Sequence, residues 1–519
     1  MDGTQMGLSQ KRQPLSSCLV RPDFMGSAVF KPYVQDQGKL LPPRLEDLIA
    51  PDHPVRVVNA VIDSLDLSLL TSRYEGGGTS SYHPAMLLKV TVYGYLRNIY
   101  STRRLEEALS ENIHFMWLAG DARPDHNTLA RFRSQRLKTS LRSVFSQVVH
   151  LLVDKGMVSL EESYLDGTKM ESSAGRYTFV WGRAIQTNRA KMEARLNELL
   201  DYAEELSGKE LGMEPVSFER VSSEEAAKVA GEISRVLKEH GAPAPMRAKA
   251  RHLAKTTQAT LDRWDAQEEI LGSRNSYSKT DPDATFMRMK EDHMGNGQLK
   301  PGYNVQISTN NQCVLHYSVH PNPTDTRTLS SHLAGFQEQL GRLPCELVAD
   351  AGYGSLENLE HLDSLGVAAF VKDNGFHLHV QGKDRFDSRT WPLDQASKTL
   401  ICPAGRAMVL QSERKDGTLV FGQTGCQDCP LRKECCKGKG ERTATRNLNH
   451  DLLRTQARER LKSPEGIQKR KKRCIEPESV FANIKQNQGF RRLRLRGSEC
   501  VEIELGLVFL AQNLRKLAA

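Results

Sequence analysis

Residues 346–354 read Glu-Leu-Val-Ala-Asp-Ala-Gly-Tyr-Gly, an apolar run that ends in a carboxylate and is followed by two glycines. A buried strand delivers a polar side chain at its end in this way. The neighbouring segments alternate between strand and helix patterns, with strands at 303–308, 313–319 and 367–372 and helices at 325–340 and 355–365. A hairpin turn at Asn310-Asn311 joins the first two strands. This order predicts a mixed α/β sheet that carries insertions.

The composition fits a folded protein with an anionic partner. The chain has 519 residues, 39% of them hydrophobic, and 72 Lys and Arg against 63 Asp and Glu give a net charge of +9. Residues 451–497 alone hold fourteen basic and five acidic side chains. Such a segment predicts a phosphate-binding surface, although a solvated helix face gives the same pattern. With no signal-peptide core and no membrane-length apolar run, we expect a cytoplasmic protein.

Residues 85–138 carry short helical patterns. Asp125 or Asn127 can cap a helix over 126–138. Three of its basic residues are expected to face outward: Arg131, Arg133 and Arg136. A basic final helix resembles a helix-turn-helix reader, whose last helix enters the major groove, but a surface helix of an all-α subdomain shows the same pattern.

Three acids occupy positions where burial would be costly without a partner. Asp166 lies within a strand-like run, Asp350 at a strand end and Glu478 in an apolar helix. Cations are common partners of buried carboxylates. Two divalent ions roughly 3.5–4 Å apart, held by converging carboxylates, suit phosphodiester chemistry. Structural carboxylates satisfied by capping or salt bridges are the alternative for each acid taken alone.

Several stretches resemble DDE insertion-sequence transposases, and in particular the insertion-sequence eleven-eighty-two group. They are Asp166-Gly-Thr-Lys-Met-Glu171, Tyr177-Thr-Phe-Val-Trp181, Asp350-Ala-Gly-Tyr-Gly-Ser355, Glu478-Ser-Val-Phe-Ala-Asn-Ile-Lys485 and Gly489-Phe-Arg-Arg492. Pro124-Asp-His-Asn-Thr128, Phe132-Arg133 and Asn513-Leu-Arg-Lys516 extend the resemblance over nearly the whole chain past about residue 28. The resemblance implies a ribonuclease-H-like catalytic fold that uses Mg²⁺ or Mn²⁺.

The resemblance also implies catalytic roles for Asp166, Asp350 and Glu478 as the three metal-binding acids. Glu476 is the rival for the third role. Transposases of this broader class carry a Lys seven positions after the acid, which is Lys485 after Glu478 but Asn483 after Glu476. Spacing therefore favours Glu478, and Lys485 is expected to contact DNA phosphate near the cleavage site.

Other residues are expected to support the three acids or to bind DNA phosphates. The wider signature places Tyr and Arg upstream of the third acid, where this chain has Lys471 and Cys474, so Arg470 or Arg473 can take that place. Asp325 starts a helix, where capping explains it, and it remains only a candidate supporting residue. We expect five residues to position DNA phosphates: Lys471, Lys472, Arg473, Arg491 and Arg492.

Five cysteines crowd into residues 402–436, between Asp350 and Glu478. Cys402, Cys426, Cys429 and Cys435 give four thiolates suitable for a closed structural Zn²⁺ site, with Cys436 competing for the fourth position. Buried cysteines without a ligand are the alternative. A zinc-ribbon-like insertion is the resulting prediction.

The chain is therefore expected to divide into five kinds of segment. They are an N-terminal tail at 1–44, an all-α, helix-turn-helix-like DNA-binding domain at 45–158, a catalytic domain at 159–183, 273–385 and 455–519, a helical insertion at 184–272, and a cysteine-rich insertion at 386–454. The expected activity is cleavage of double-stranded DNA at terminal inverted repeats and joining to target DNA, by a homodimer assembled on the DNA. A nuclease without joining and an inactive DNA-binding repressor are the competing functions.

Overall fold

A computed structural model describes residues 44–74, 81–208, 216–218, 221–289, 297–423, 425–436 and 438–519. The expected N-terminal tail lies outside the described residues except for Arg44. Both α-helices and β-strands occur along the described chain. The mixed α/β fold is consistent with the ribonuclease-H-like fold that the resemblance implies.

Before the first strand, every regular element of the described residues is helical. The α-helices are α1 Pro54–Ser64, α2 Ser68–Thr71, α3 Pro84–Leu96, α4 Thr102–Glu111, α5 Ile113–Ala119, α6 His126–Ser134 and α7 Leu141–Asp154. Pro54 and Pro84 each open a helix, where a proline loses no hydrogen bond. Asp125 caps α6 by accepting from the Thr128 backbone N–H at 2.8 Å. The predicted helix over 126–138 is shorter, and residues 136–138 form a separate 3₁₀ turn.

The remaining elements follow in chain order. The strands are β1 Glu162–Glu171, β2 Phe179–Trp181, β3 Ser276–Ser278, β4 Thr285–Arg288, β5 Leu299–Asn310, β6 Cys313–His320, β7 Glu346–Ala349, β8 Ala368–Val371, β9 Leu393–Asp394, β10 Thr399–Ile401, β11 Ala407–Glu413, β12 Leu419–Gly422 and β13 Thr443–Arg446. The helices are α8 Gly182–Ser207, α9 Ser223–Glu239, α10 Ala244–Leu271, α11 Leu329–Leu340, α12 Leu356–Ser364, α13 Phe376–Val380, α14 Arg432–Cys435, α15 Leu448–Lys462, α16 Pro464–Arg473, α17 Pro477–Ala482 and α18 Ser498–Leu517.

The central sheet has six strands in the order β4-β5-β1-β7-β8, with β6 also paired to β5. β1 is antiparallel to β5 and parallel to β7, and β7 is parallel to β8. The β5–β6 turn falls on Asn311 and Gln312, which have φ of 51° and 62°, because Asn310 already pairs with Cys313. The turn predicted at Asn310-Asn311 is therefore one residue early.

Two insertions interrupt this sheet. Helices α8, α9 and α10 pack around a core of their own. Ser222 and Glu225 form a capping box at the start of α9. Strands β9 to β13 form a separate five-stranded antiparallel sheet around Trp391 and Phe421. Each insertion can therefore bury its own apolar side chains.

Helix α18 packs against both the N-terminal helices and the central sheet. Its residues from Ile503 to Leu514 are buried, and they share one hydrophobic core with α3, α7, β5 and β6. Asn513 exchanges two hydrogen bonds with the Val314 backbone of β6, at 2.7 and 2.8 Å. Tyr100, in the N-terminal part, donates to the Gln488 carbonyl at 2.9 Å. Helices from the N-terminal described segment, starting at residue 44, and the C-terminal helix α18 are therefore packed in one core.

Candidate active site

Asp166 and Asp350 lie side by side on neighbouring parallel strands. Tyr164 of β1 is in register with Val348 of β7, so the two acids stand two residues further along on matching positions. Since successive side chains alternate between the two faces of a sheet, Asp166 and Asp350 point to the same face as each other, opposite to Leu165 and Ala349. Asp166 is buried, whereas Asp350 caps a 3₁₀ turn by accepting from the Gly352 N–H at 2.8 Å. The sheet topology thus converges two carboxylates that are 184 residues apart in sequence.

Arg473 brings the third acid to the same place. It is the last residue of α16 and is only 7% exposed. Its guanidinium lies 3.8 Å from Asp166 Oδ1, 3.4 Å from Asp350 Oδ2 and 3.0 Å from Glu478 Oε1. One cation therefore contacts all three acids that the sequence singles out.

Glu476 is differently placed from Glu478. It is 2% exposed, and its Oε2 accepts from the Gln312 backbone N–H at 2.8 Å, in the β5–β6 turn. Glu478 is about half exposed and reaches Arg473. The geometry thus supports Glu478 over Glu476 as the partner of Asp166 and Asp350, while the catalytic role itself stays a prediction.

Lys485 lies in a π-helical turn, Asn483–Asn487, that continues α17. π-helical turns occur frequently at functional sites. The Lys485 amine is buried and donates to Thr168 Oγ1 at 2.9 Å and to the Lys169 carbonyl at 3.3 Å. It therefore lies against β1, two residues beyond Asp166, rather than out in solvent.

Beside the acids is a polar cluster that sequence reasoning left out. Asp325 accepts from Asn304 Nδ2 at 2.8 Å and from Gln306 Nε2 at 2.9 Å, and Tyr353 donates to Gln306. The N-cap residue of the 3₁₀ turn at this position is Thr324 rather than Asp325, so the capping explanation is wrong. Burial, with Asp325, Asp166 and Asp350 nearby, raises the pKa of Tyr353 well above its ordinary value. Alternation along β5 could have paired Asn304 with Gln306, but nothing local linked them to Asp325.

Gly167 is required by this cluster. A Cβ on it would stand 2.7 Å from Asp325 Oδ1 and would also collide with Gln306. Glycine at this position lets the backbone of β1 approach the polar side chains closely. Asp166 thus supplies the carboxylate, and Gly167, which follows it, leaves room for the side chains of Asp325 and Gln306.

The donor set at Arg473 suits a hard divalent cation, because Mg²⁺ prefers carboxylate oxygens. Among the residues described by the structure, no three His, Cys, Asp or Glu side chains form a group that could hold a metal ion. At the three acids, the Arg473 guanidinium lies between the oxygens. The three carboxylates fit a divalent cation in chemistry and would hold it through their oxygens, which contact the Arg473 guanidinium in this structure.

The expected DNA contacts of α6 divide into exposed and buried residues. Arg131 and Arg136 are exposed, and Arg136 also stacks over Tyr74 at 4.9 Å. Arg133 is 8% exposed and donates to Tyr95 Oη at 3.2 Å and to the Tyr100 carbonyl at 2.9 Å. The prediction that Arg133 faces outward is therefore wrong, because its guanidinium satisfies polar groups inside the helical core.

The basic residues near the carboxylates also differ in availability. Lys471 is exposed, whereas Lys472 pairs with Glu162 at 3.2 Å. Arg491 is exposed and donates to the Lys485 carbonyl at 3.2 Å. Arg492 donates to the carbonyls of Ser172 and Ala174, which connects the C-terminal segment to the end of β1. Several of these basic side chains thus already make hydrogen bonds or ion pairs within the protein.

The five cysteines of the second insertion line one cavity: Cys402, Cys426, Cys429, Cys435 and Cys436. All five are free thiols and partly buried. No group of them, within the described residues, is arranged to hold a metal ion. The structure therefore gathers the expected thiols along one cavity without showing a Zn²⁺ site, which stays a prediction.

A mixed sheet that gathers three acids around one cation defines a site suited to phosphodiester chemistry. Two family models match the chain, both of transposases: a transposase domain (DUF772) over residues 43–135 and a transposase DDE domain over residues 401–518. The second match includes Glu478 and Lys485. These matches confirm the resemblance to DDE insertion-sequence transposases. Membership of the insertion-sequence eleven-eighty-two group stays a prediction.

The other comparisons gave no relative: no curated protein and no solved structure matches the chain. Transposases act on DNA, so DNA is the supported partner. None of the helices in the described part of the chain is both long enough and apolar enough to span a membrane.

Proposed function

We propose that this transposase binds the terminal inverted repeats of its element, cleaves DNA at the ends and joins them to target DNA. The convergence of Asp166, Asp350 and Glu478 on Arg473 carries this proposal. Three carboxylates around a single cation can exchange that cation for Mg²⁺ or Mn²⁺. When bound, the metal supplies positive charge that stabilises the attacking and leaving oxygens of the phosphodiester.

The protein's own residues have distinct tasks in this proposal. Asp166, Asp350 and Glu478 hold the metal, and Arg473 withdraws from them to donate to a DNA phosphate. Lys485, already fixed beside Thr168, orients the phosphate next to Asp166. A guanidinium released from a carboxylate cluster is well suited to phosphate, because it donates in a fixed planar fork.

Recognition of the repeats is assigned to α6. Arg131 on α6 and Arg136 in the 3₁₀ turn that follows it are exposed, while Arg133 holds α6 in the core. Lys471 and Arg491 are exposed on the segment that carries Glu478, where they can contact phosphates. Because two element ends must be joined together, we propose a homodimer on DNA.

The test uses DNA fragments that carry the flanks of the coding region, incubated with Mg²⁺ or Mn²⁺. Asp350→Asn should abolish end cleavage, since it removes one acid with little change in shape. Asp363→Asn, an exposed acid on α12, is the matched control and should cleave normally. Undiminished cleavage by Asp350→Asn would overturn the assignment, and cleavage without joined product would indicate a nuclease.

A structural Zn²⁺ in the cysteine-rich insertion is a separate proposal. It is supported by the convergence of five thiols on one cavity and by the preference of Zn²⁺ for thiolates. Metal analysis of purified protein should find one zinc per chain and less in Cys429→Ser. A protein without zinc that keeps its fold would remove this proposal, and the catalytic site would be unaffected.

A further inference from the structure

The first half of helix α10 carries a concentration of positive charge that the proposed active site does not use. Between Ala244 and Leu261 the sequence contains Arg247, Lys249, Arg251 and Lys255 and neither Asp nor Glu. The second half of α10 differs, since Asp265 and Glu268 there pair with Arg189 of α8. The first half of α10 therefore carries basic residues without acids, whereas the acids lie in its second half.

These basic side chains are presented to solvent. The core face of this part of α10 is formed by Ala250, Thr257 and Leu261, which are buried. Lys249, Arg251 and Lys255 are exposed, and the last two stand one helical turn apart. We call the surface made of Arg251 and Lys255 the insertion tip; Lys249, two residues before Arg251, lies on the other flank of the helix.

A groove on the Lys249 flank of α10 also has a largely basic polar lining, which continues onto α8. It has a volume of about 370 Å³ and is lined by Arg195, Lys249 and His252, with Glu198 as the one acid in its lining. Leu199, Leu253 and Met246 line the rest of the groove. Helix α9 shows the contrasting arrangement, because its Arg235 pairs with Glu239 at 3.3 Å. Basic residues thus alternate with acids on α9 but not on the insertion tip.

We propose that the insertion tip binds the phosphates of target DNA, an inference that rests on the proposed function. Lys and Arg contacts to phosphate position DNA without reading its sequence. Target DNA must be held whatever its bases, whereas the element ends must be recognised. A phosphate-only surface, separate from α6, therefore matches target DNA better than the repeats.

The length of α10 places this contact away from the cleavage centre. Lys255 is 16 residues before Leu271, after which the chain enters β3 of the separate two-stranded β2–β3 sheet, so the insertion tip stands about 24 Å along the helix from that small sheet. At roughly 3.4 Å per base pair, this corresponds to about seven base pairs of duplex. The insertion tip would hold DNA that flanks the joining point.

The first measurement is binding to a fluorescent duplex of arbitrary sequence at increasing salt. Arg251→Gln with Lys255→Gln is compared with Lys228→Gln with Lys238→Gln, two exposed lysines on α9 that change the net charge equally. Loss of two phosphate contacts should reduce the slope of log affinity against log salt by about 1.8. The control pair should leave the slope unchanged, and equal slopes in both variants would overturn the proposal.

The second measurement separates target DNA from element DNA. With pre-cleaved ends and a plasmid target, the Arg251 and Lys255 variant should join about tenfold less product than the control, in line with its weaker phosphate contacts. Its cleavage of uncut ends should match the wild type. An equal loss of cleavage and joining would assign the surface to element DNA and overturn the proposal. If wild-type protein neither cleaves nor joins, the proposed function fails, and the salt slope still decides whether the insertion tip binds duplex.

Discussion

Replacing Arg473 with Gln tests whether this side chain stands in for a metal ion. The substitution keeps hydrogen-bonding capacity but removes the charge that lies 3.0–3.8 Å from three carboxylates. Removing one partner from a fully buried pair costs about 3–5 kcal/mol, whereas exposed pairs contribute about 0–1 kcal/mol. Only Asp166 is buried, since the side chains of Asp350 and Glu478 are 37% and 48% exposed. We therefore expect a loss of about 2–3 kcal/mol in the free energy of unfolding without metal.

Divalent cations should restore this loss in the variant. A ligand at a hundred times its Kd stabilises the folded state by about 2.7 kcal/mol. In the wild type the cation must first displace Arg473, so its net stabilisation is smaller. Thermal unfolding in EDTA and in Mn²⁺ measures both states, and calorimetry should show tighter Mn²⁺ binding to Arg473→Gln.

Arg460→Gln is the control, because Arg460 is an exposed arginine on the neighbouring helix α15. It should change stability by less than about 0.5 kcal/mol and leave the Mn²⁺ response unaltered. Two results would refute the reasoning: Arg473→Gln as stable as wild type in EDTA, or equal stabilisation of both proteins by Mn²⁺.

The remaining predictions concern a buried histidine cluster and α6. Burial lowers the pKa of His316 to about 3 and of His320 to about 4, and that of His332 falls well below its ordinary value. The unfolded chain therefore binds more protons below about pH 6.5, and stability should fall from there towards pH 4 by up to about 1.4 kcal/mol per pH unit for each histidine. Urea unfolding at several pH values should show this slope, reduced by about a third in His320→Gln; an unchanged slope would contradict it. Arg133→Gln should lower stability by about 1–3 kcal/mol with unaltered DNA affinity of the folded fraction, whereas Arg131→Gln should weaken repeat binding in a mobility-shift assay without destabilising the protein.

The central strands could be read from the sequence because their signals are local. The run before Asp350 forms β7, and the two β-branched stretches form β5 and β6, with the turn displaced by one residue. Glu478 and Lys485 could be related through helical spacing alone. A π-helical turn modifies that spacing and buries Lys485, and no local pattern predicted it.

The parts that sequence reasoning missed depend on contacts between distant segments. The helical period of α6 placed Arg133 on the outside, but Tyr95 and the Tyr100 carbonyl, which lie more than thirty residues earlier, draw it into the core. Asp325 has a local explanation as a cap, and only the sheet brings Asn304 and Gln306 to it. Arg473 was one of five basic residues in a row, and its separate role follows from the place where α16 ends.

Helix α18 is synthesised after every other element, yet it fills the core that the N-terminal helices need. During synthesis, Val90, Tyr93 and Phe145 cannot complete their core packing until Leu507 and Phe509 of α18 have been added to the chain. Domains generally form as units during synthesis, starting from the N-terminal side. Here the first helices must wait for the last, so a message cut short before α18 yields a chain with exposed apolar surface rather than a folded DNA-binding fragment. We therefore expect a prematurely terminated product to be removed by proteolysis.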